Sequence, residues 1–166
     1  MSLEQNKALV RRSVSEFYNR ENVDVVDEIY TADFLSHDPT GIKEGGVEEL
    51  KQFMTNIIAA FPDFHVHIDE LIAERDKVVK RFTIHCTHQG EFMGVPPTGK
   101  EITFSGTHTY RVAGGKLAEE WVDINWLGFM QQLGVVAPLM QEAWFRLPVR
   151  SNQLRQKQIQ PVLDFG

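Results

Sequence analysis

Three residues near the C-terminal end of the last predicted strand, Trp121, Asp123 and Asn125, have the types and spacing for proton-transfer chemistry. Strand side chains alternate between two faces, so these three point together, either into a pocket or away from it. A carboxylate in a mostly apolar pocket has its pKa raised towards neutrality, as a proton shuttle requires. We therefore predict Asp123 as a catalytic acid–base, Asn125 as a hydrogen bond to an enolate oxygen and Trp121 as pocket wall. The competing interpretation is a polar outer sheet face or a dimer interface.

His37 is the second predicted catalytic residue, because it lies in a His-Asp-Pro sequence within an irregular segment. Loops that a rigid scaffold holds in place often carry function. His37 is predicted to be a second proton carrier or a hydrogen bond to substrate. In the alternative interpretation, Asp38 and Pro39 start a turn and His37 caps it.

Further substrate-binding candidates come from the strand predicted over 101–112, in which apolar and polar residues alternate. His108 and Tyr110 lie on its apolar face. That face is expected to contact the core or the pocket, and a satisfied core histidine is an open alternative. Tyr18, beside the apolar face of the first helix, is a further candidate. Each of these side chains combines a ring with a polar atom that can bind a ligand.

Arg81 is the basic candidate for substrate binding. It is expected to form an ion pair with a neighbouring strand, with Glu119 or Asp123 as possible partners, or to be solvated. An ion pair with Asp123 would lower the pKa of that carboxyl group and oppose an acid–base role.

Other kinds of chemistry find little support in the sequence. The six histidines show no HExxH spacing, so we expect no metal site. The nucleophile pattern Gly-x-Ser-x-Gly is missing, Cys86 has no evident activating context, and no glycine-rich phosphate loop follows a strand. We expect neither a nucleotide nor another cofactor.

Three N-terminal helices are predicted to position these residues. Ser2 and Gln5 form a capping box before an apolar stripe that reaches Phe17. A short second helix is predicted between Val23 and Tyr30, and residues 33–46 are predicted to be irregular. Apolar residues at helical spacing predict a third helix over 47–61, which Pro62 ends.

The period changes to two after the third helix, which predicts strands over 65–73, 78–87, 101–112 and 117–125. Short turns join them, so they form an antiparallel sheet. A short helix over 126–133, with Gly134 as its C-cap, follows. Helices first and strands afterwards predict an α+β fold in which the helices cover one face of a strongly curved sheet and enclose a small-molecule pocket.

Length and composition fit one soluble domain of 166 residues with 42% apolar and 24% charged residues. We assign residues 1–134 to the domain and 135–166 to an extension that is docked or partly disordered, with Trp144 and Phe145 favouring docking. A net charge of −6 argues against a nucleic-acid partner. No apolar run approaches the ~20 residues of a membrane span, and no apolar leader precedes the first helix. With a single cysteine, the chain is expected to be cytoplasmic.

Several separated motifs occur in the chain: FPDF at 61–64, THQGEFMGVPPTG at 87–99, GK at 115–116 with EEW at 119–121, and LG at 127–128 with QQLG at 131–134. In this order, over roughly residues 5–134, they resemble the SnoaL-like polyketide cyclase or ester cyclase family of the nuclear-transport-factor-2-like superfamily. The resemblance implies a cone-shaped fold, an apolar pocket between sheet and helices, and often a dimer through the sheets. A homodimer is therefore expected.

For function, the resemblance implies ring closure of a polyketide ester by intramolecular aldol condensation, without metal or cofactor, and with an Asp on the late strand as acid–base. The family pattern places an acidic residue four positions after the Trp, where this chain has Asn125, while Asp123 lies two positions after Trp121. Our first hypothesis is a cofactor-free cyclase, isomerase or lyase acting on a carbonyl-bearing, hydrophobic small molecule. The alternatives are a non-catalytic small-molecule binding protein on the same scaffold and, less favoured, an interaction module.

Overall fold

The computed structural model describes residues 2–38, 41–43 and 46–136, with the backbone alone for 41–43. The extension predicted from residue 135 onwards, including the docking of Trp144 and Phe145, lies almost wholly outside the described residues. The helical segments are α1 (Leu3–Arg12), a π-helical segment (Ser13–Tyr18), a 3₁₀ turn (Val23–Val25), α2 (Val26–Ile29), α3 (Gly46–Ala60) and α4 (Trp126–Leu133). The strands are β1 (Tyr30–Asp38), β2 (Gly41–Lys43), β3 (His65–Glu74), β4 (Lys77–Thr87), β5 (Glu101–Ala113) and β6 (Lys116–Ile124).

The ends of the helices are fixed by the residues that the sequence indicates. Ser2 Oγ accepts a hydrogen bond from the backbone N–H of Gln5, and Gln5 Oε1 accepts one from the N–H of Ser2, which confirms the capping box. Gly134 ends α4 in the left-handed conformation at a φ of 89°, which favours glycine and confirms the predicted C-cap. Local signals thus place the first and last helices.

The six strands form one sheet in the order β2-β1-β6-β5-β4-β3. The four predicted strands, β3 to β6, pair antiparallel with their sequence neighbours, as expected. The prediction of an irregular segment over 33–46 is wrong, because β1 lies there and pairs parallel to β6. Its only fully buried apolar residues, Tyr30 and Phe34, are four apart, a spacing that fits a helix as well as a strand.

One face of the sheet carries the core. The helices pack on this face, and the alternating residues Ile102, Phe104, His108 and Tyr110 of β5 are buried there, as the period predicted. The chain therefore folds as an α+β domain with its helices on a mostly antiparallel sheet. None of the helices in the described part of the chain has the length and apolar character that crossing a bilayer requires.

The loop between β4 and β5 lies tightly against the end of α3. The backbone N–H groups of Gln89 and Gly90 both donate to the carbonyl of Ala60 at 2.9 Å, and a Cβ atom on Gly90 would lie 2.2 Å from the carbonyl oxygen of Ala59. Backbone atoms cannot yield as a side chain does, so Gly90→Ala is expected to lower the free energy of unfolding by about 1–3 kcal/mol. Urea denaturation measures the change. Glu91→Ala, an exposed change in the same loop, is the control, and equal stabilities of the two variants would contradict the close contact.

Candidate functional site

The register between β5 and β6 decides which residues of the last strand face the helices. Tyr110 is opposite Glu120, whereas Thr107 is opposite Asp123 and Thr109 is opposite Trp121. Because Tyr110 is buried on the core face, Glu120 shares that face. Trp121 and Asp123 therefore lie on the outer face of the sheet.

Asp123 is exposed on that outer face. The acid–base hypothesis required its carboxylate to enter an apolar pocket, and this position contradicts the requirement. Period-two alternation showed that Trp121 and Asp123 share a face, but it could not show which of the two faces the helices cover. The structure settles that choice against Asp123.

His37 belongs to a polar cluster on the same outer face. Its ring stacks on Trp121 with 5.2 Å between centroids, and its Nε2 lies 2.8 Å from Glu119 Oε1. Arg111 Nε donates to the other oxygen of Glu119 at 2.7 Å, and Lys77 Nζ lies 3.8 Å from the centre of the Trp121 ring. The hydrogen bonds from Arg111 and His37 lower the pKa of Glu119. The predicted residues His37 and Trp121 thus meet each other, but on the face opposite the core.

Two further predicted site residues have structural partners. Asn125 is the N-cap of α4, where its Oδ1 accepts a hydrogen bond from the N–H of Gly128 at 3.0 Å. The expected pairing of Arg81 with Glu119 or Asp123 is wrong, because the guanidinium lies 3.0 Å from Asp69 Oδ2. The broader expectation of an ion pair with a neighbouring strand is confirmed, since Asp69 belongs to β3.

Beneath the helices, three adjacent strands bring together ionisable residues that are almost fully buried. Lys80 of β4, His108 of β5 and Glu120 of β6 expose 1%, 7% and 4% of their surface. Lys80 is opposite His108 in the sheet, and Glu120 is opposite Tyr110. Buried ionisable groups are rare unless paired, and they cluster at functional sites. We name these three residues the interior cluster.

One hydrogen bond, from Ser36, and a longer contact with His108 hold the carboxylate of the interior cluster in place. Ser36 Oγ donates to Glu120 Oε1 at 2.9 Å across the parallel pair of β1 and β6. His108 Nδ1 lies 3.4 Å from Glu120 Oε2 and 3.0 Å from Tyr110 Oη. Within the described part of the chain, Glu120 Oε2 and His108 Nε2 are buried without a hydrogen-bond partner. Such atoms are costly to bury, so they mark where a ligand could bind.

The charges of the interior cluster balance one another. Burial alone would raise the pKa of Glu120, but His108, Ser36 and the charge of Lys80 together lower it. Burial lowers the pKa of Lys80 to about 8, against the opposing attraction of Glu120. Burial and the charge of Lys80 lower the pKa of His108. At neutral pH the cluster therefore holds an ionised carboxylate beside a neutral imidazole.

Three buried tyrosines are close enough to Glu120 for its charge to raise the pKa values of their hydroxyl groups. Tyr18 ends the π-helical segment, a rare geometry that is frequent at functional sites. Burial, with Glu120 nearby, raises the pKa values of Tyr18 and Tyr110 well above the ordinary value. Burial also raises the pKa of Tyr30, whose Oη lies 2.6 Å from Ser13 Oγ. These hydroxyl groups stay protonated and can donate hydrogen bonds.

The alternation of β5 correctly predicted that His108 and Tyr110 are buried on the core face, but Glu120 and Lys80 were not predicted to join them there. A signal for Lys80 was available, since it interrupts the apolar alternation of Val78, Phe82 and Ile84 on β4. No comparable signal distinguished Glu120 from Glu119, because both are glutamates. The role of His108, Tyr110 and Tyr18 in binding substrate stays a prediction.

Two grooves border the described residues, and both lie away from the interior cluster. The larger, about 540 Å³, lies between the N-terminal helical segments and β3, and the smaller, about 170 Å³, lies beside Asn6 and the two hairpin turns. Neither is lined by Glu120 or by a predicted site residue, so the internal pocket stays a prediction. Among the described side chains, no group of three His, Cys, Asp or Glu residues has the arrangement for a metal ion.

N-terminal helices, a sheet of mostly antiparallel strands and the buried interior cluster define a small α+β protein with ionisable groups on the covered face of its sheet. The chain belongs to the SnoaL-like polyketide cyclase family, whose sequence profile matches residues 8–133. This confirms the resemblance seen in the separated sequence motifs.

Similar proteins support the same family. The aklanonic acid methyl ester cyclase DnrD of Streptomyces peucetius is 30% identical over 145 residues, which cover 82% of this chain and 94% of that protein. The nogalonic acid methyl ester cyclase of Streptomyces nogalater is 28% identical over 124 residues, covering 70% and 89%. Among solved structures, AclR of Streptomyces galilaeus, a candidate hydroxylase, has a TM-score of 0.76 at 28% identity, covering 84% of this chain and 87% of AclR.

Proposed function

We propose that this chain is a cyclase-like enzyme that closes a ring in a hydrophobic, carbonyl-bearing small molecule by proton transfer, without a cofactor. The observation that carries the proposal is the buried carboxylate of Glu120, which is ionised and has one oxygen, Oε2, without a hydrogen bond from the described residues. Because its pKa is lowered, Glu120 is a weaker base than a carboxylate with a pKa near neutrality, so its role as general base depends on its position and on a substrate carbon made acidic by two neighbouring carbonyl groups. Family membership supports the choice of ring closure among proton-transfer reactions.

Glu120 acts first as the base. Its Oε2 removes a proton from a carbon between two carbonyl groups of the substrate, where the charge of the resulting enolate is delocalised. The enolate carbon attacks the carbon of a further carbonyl group in the same molecule, which forms the new carbon–carbon bond and leaves an alkoxide. The alkoxide takes the proton back from Glu120, so the reaction is an isomerisation with no other reactant.

The tyrosines supply the hydrogen bonds for this sequence. Tyr18 and Tyr110 stay protonated, and their hydroxyl groups donate to the enolate oxygen as charge develops on it. His108 is held by Tyr110 at 3.0 Å and leaves Nε2 for a further contact with substrate. Binding in the site holds the two reacting carbons of the substrate close together. The ring then closes faster than in the flexible molecule in solution.

The test uses the two methyl esters that appear in the names of the relatives, those of aklanonic acid and nogalonic acid. Purified protein is incubated with each ester, and the products are separated by chromatography because an intramolecular aldol closure leaves the mass unchanged. We expect conversion of at least one ester to an isomer, faster than in buffer. Retention of the ester on the protein without conversion would instead support the non-catalytic binding protein.

A further inference from the structure

One edge of β3 is paired by a side chain instead of by a strand. β3 is the outermost strand of the sheet, so among the described residues this edge has no neighbouring strand. At Val66 the backbone N–H donates to Asn19 Oδ1 at 2.8 Å, and the backbone carbonyl accepts from Asn19 Nδ2 at 2.9 Å. The amide of Asn19 thus takes the place of a peptide group in an added strand.

The pairing of β3 with β4 shows which other residues face the free edge. Alternate residues of an antiparallel strand direct their backbone groups to the same side, so Ile68 faces outward like Val66. A bulge between Ile68 and Glu70 gives β3 one extra residue, which moves the outward direction to Leu71 and Ala73. Within the described part of the chain, no backbone or side-chain group pairs with the outward groups of Ile68, Leu71 or Ala73.

The groove of about 540 Å³ runs beside this edge. Its helical side is lined by Arg11, Val14, Ser15 and Asn19, and its strand side by residues 65–71. The groove therefore reaches the stretch of β3 that contains the outward-facing Ile68. Beyond the groove the strand remains in contact with solvent, since the side chain of Ile72 is 56% exposed. Such an edge is open to pairing with another chain.

The same hydrogen-bond arrangement occurs at a second strand edge. Thr103 of β5 lies beyond the end of β6, whose last residue, Ile124, is opposite Gly106. The N–H of Thr103 donates to Gln132 Oε1 at 3.0 Å, and Gln132 Nε2 donates to the carbonyl of Thr103 at 2.8 Å. There α4, which carries Gln132, covers the edge. On β3 the amide of Asn19 pairs with Val66 alone and leaves the following residues open.

The sequence of β3 is suited to antiparallel pairing with a second copy of itself. One two-fold arrangement puts outward-facing residues opposite each other all along the strand, with Val66 opposite Ala73 and Ile68 opposite Leu71. At each end His65 then lies opposite Glu74, which is a favourable pair when the imidazole is protonated. At the centre the carboxylates of Asp69 and Glu70 meet their counterparts, and Arg81 of each copy lies 3.0 and 3.7 Å from them, which offsets the like charges.

We propose that the free edge of β3 is a pairing surface for a second copy of this chain and that Asn19 keeps this surface closed. While the amide of Asn19 occupies Val66 in both copies, the pairs of Val66 with Ala73 cannot form. The pairs of Ile68 with Leu71 that remain are too few for a stable contact. This contact would join two sheets edge to edge, so it is separate from the homodimer through the sheet faces that the family resemblance implies.

A purely structural role for Asn19 is the main competing explanation. Asn19 directly follows the π-helical segment, and its amide attaches the end of that segment to β3. An attachment alone predicts that Asn19→Ala is less stable but associates no more than the wild-type protein. The two explanations therefore differ in a quantity that can be measured.

The experiment compares Asn19→Ala with the wild-type protein by sedimentation velocity over a range of concentrations. The substitution leaves the backbone groups of Val66, which is 3% exposed, without partners, and the strand of a second copy supplies them. We expect Asn19→Ala to associate at least about tenfold more tightly, into a species of twice the wild-type mass. Asn56→Ala, an exposed asparagine on α3, is the matched control and should associate like the wild type. Equal association of Asn19→Ala and the wild type would overturn the proposal.

A second substitution shows whether the association uses this edge. Ala73→Pro removes the N–H that would pair with Val66 of the second copy, and β4 loses no hydrogen bond because that N–H faces outward. The double variant Asn19→Ala/Ala73→Pro is expected to return to wild-type association. Association that persists in the double variant would contradict pairing through β3.

Hydrogen exchange on the wild-type protein decides the case if Asn19→Ala does not fold. We expect slow exchange at the amide of Val66, which has Asn19 Oδ1 as its acceptor, and much faster exchange at Ile68, Leu71 and Ala73. If these three amides were as protected as that of Val66, the edge would already be covered in the wild-type protein and the proposal would fail.

Discussion

Glu120→Gln is expected to lower the turnover number for ring closure by about 10²- to 10⁴-fold, the usual contribution of a general base. Glutamine has nearly the same shape and can still accept a hydrogen bond from Ser36, but it cannot take a proton. The KM is expected to change much less, because the substrate contacts of the tyrosines remain. Steady-state kinetics with the converted methyl ester measures both constants.

Glu119→Gln is the matched control for this change. The two glutamates are sequence neighbours on opposite faces of β6, so the control alters the same charge at almost the same place. It removes the negative charge from the outer contacts with His37 and Arg111 and should leave turnover near the wild-type value. Asp123→Asn should behave likewise. A loss of turnover in Asp123→Asn with full activity in Glu120→Gln would return the acid–base role to the outer face.

Phe61→Ala is expected to lower the free energy of unfolding by about 3–5 kcal/mol, the range for removing a large buried aromatic side chain. Phe61 is 2% exposed and has the rings of His88, Phe92 and Phe129 within 5.1–6.0 Å, so its loss leaves a cavity where α3, the β4–β5 loop and α4 meet. Urea denaturation followed by tryptophan fluorescence measures the change.

Phe53→Ala on α3 removes the same ring from a position that is 40% exposed. It should cost less than Phe61→Ala, because 40% of the surface of Phe53 stays in contact with water in the folded protein, against 2% for Phe61. If the two variants lost similar free energies, the aromatic group around Phe61 would not be the main support of this end of the domain.

Much of the fold could be predicted because its signals are local. The capping box at Ser2, the stop at Gly134 and the hairpin turns each act within a few residues. Strand β1 escaped prediction because its partner, β6, lies more than 80 residues away and its own residues are mostly polar. A strand that pairs in parallel with a distant strand has no hairpin turn beside it, so the neighbouring sequence does not indicate the pairing.

The site could be predicted only in part, for a geometric reason. Alternation correctly placed His108 with Tyr110 on one face of the sheet, and Trp121 with Asp123 on one face. It does not show which of the two faces the helices cover. The pairing of Tyr110 with Glu120 fixes the side, and that register depends on a bulge between Arg111 and Val112. The burial of Lys80 could not be predicted from its position among apolar residues, because a lysine is rarely buried in a protein interior.

The parallel pair of β1 and β6 also has a consequence for how the protein is synthesised. The hydrogen bond from Ser36 to Glu120 joins residues that are 84 positions apart, so the carboxylate reaches its place only after the last strand has left the ribosome. Contacts of such long sequence separation form late in folding and slow it. A nascent chain that has only α1 to α3 and the first hairpin therefore lacks the proposed base, and the interior cluster is completed only when β6 pairs with β1 and β5.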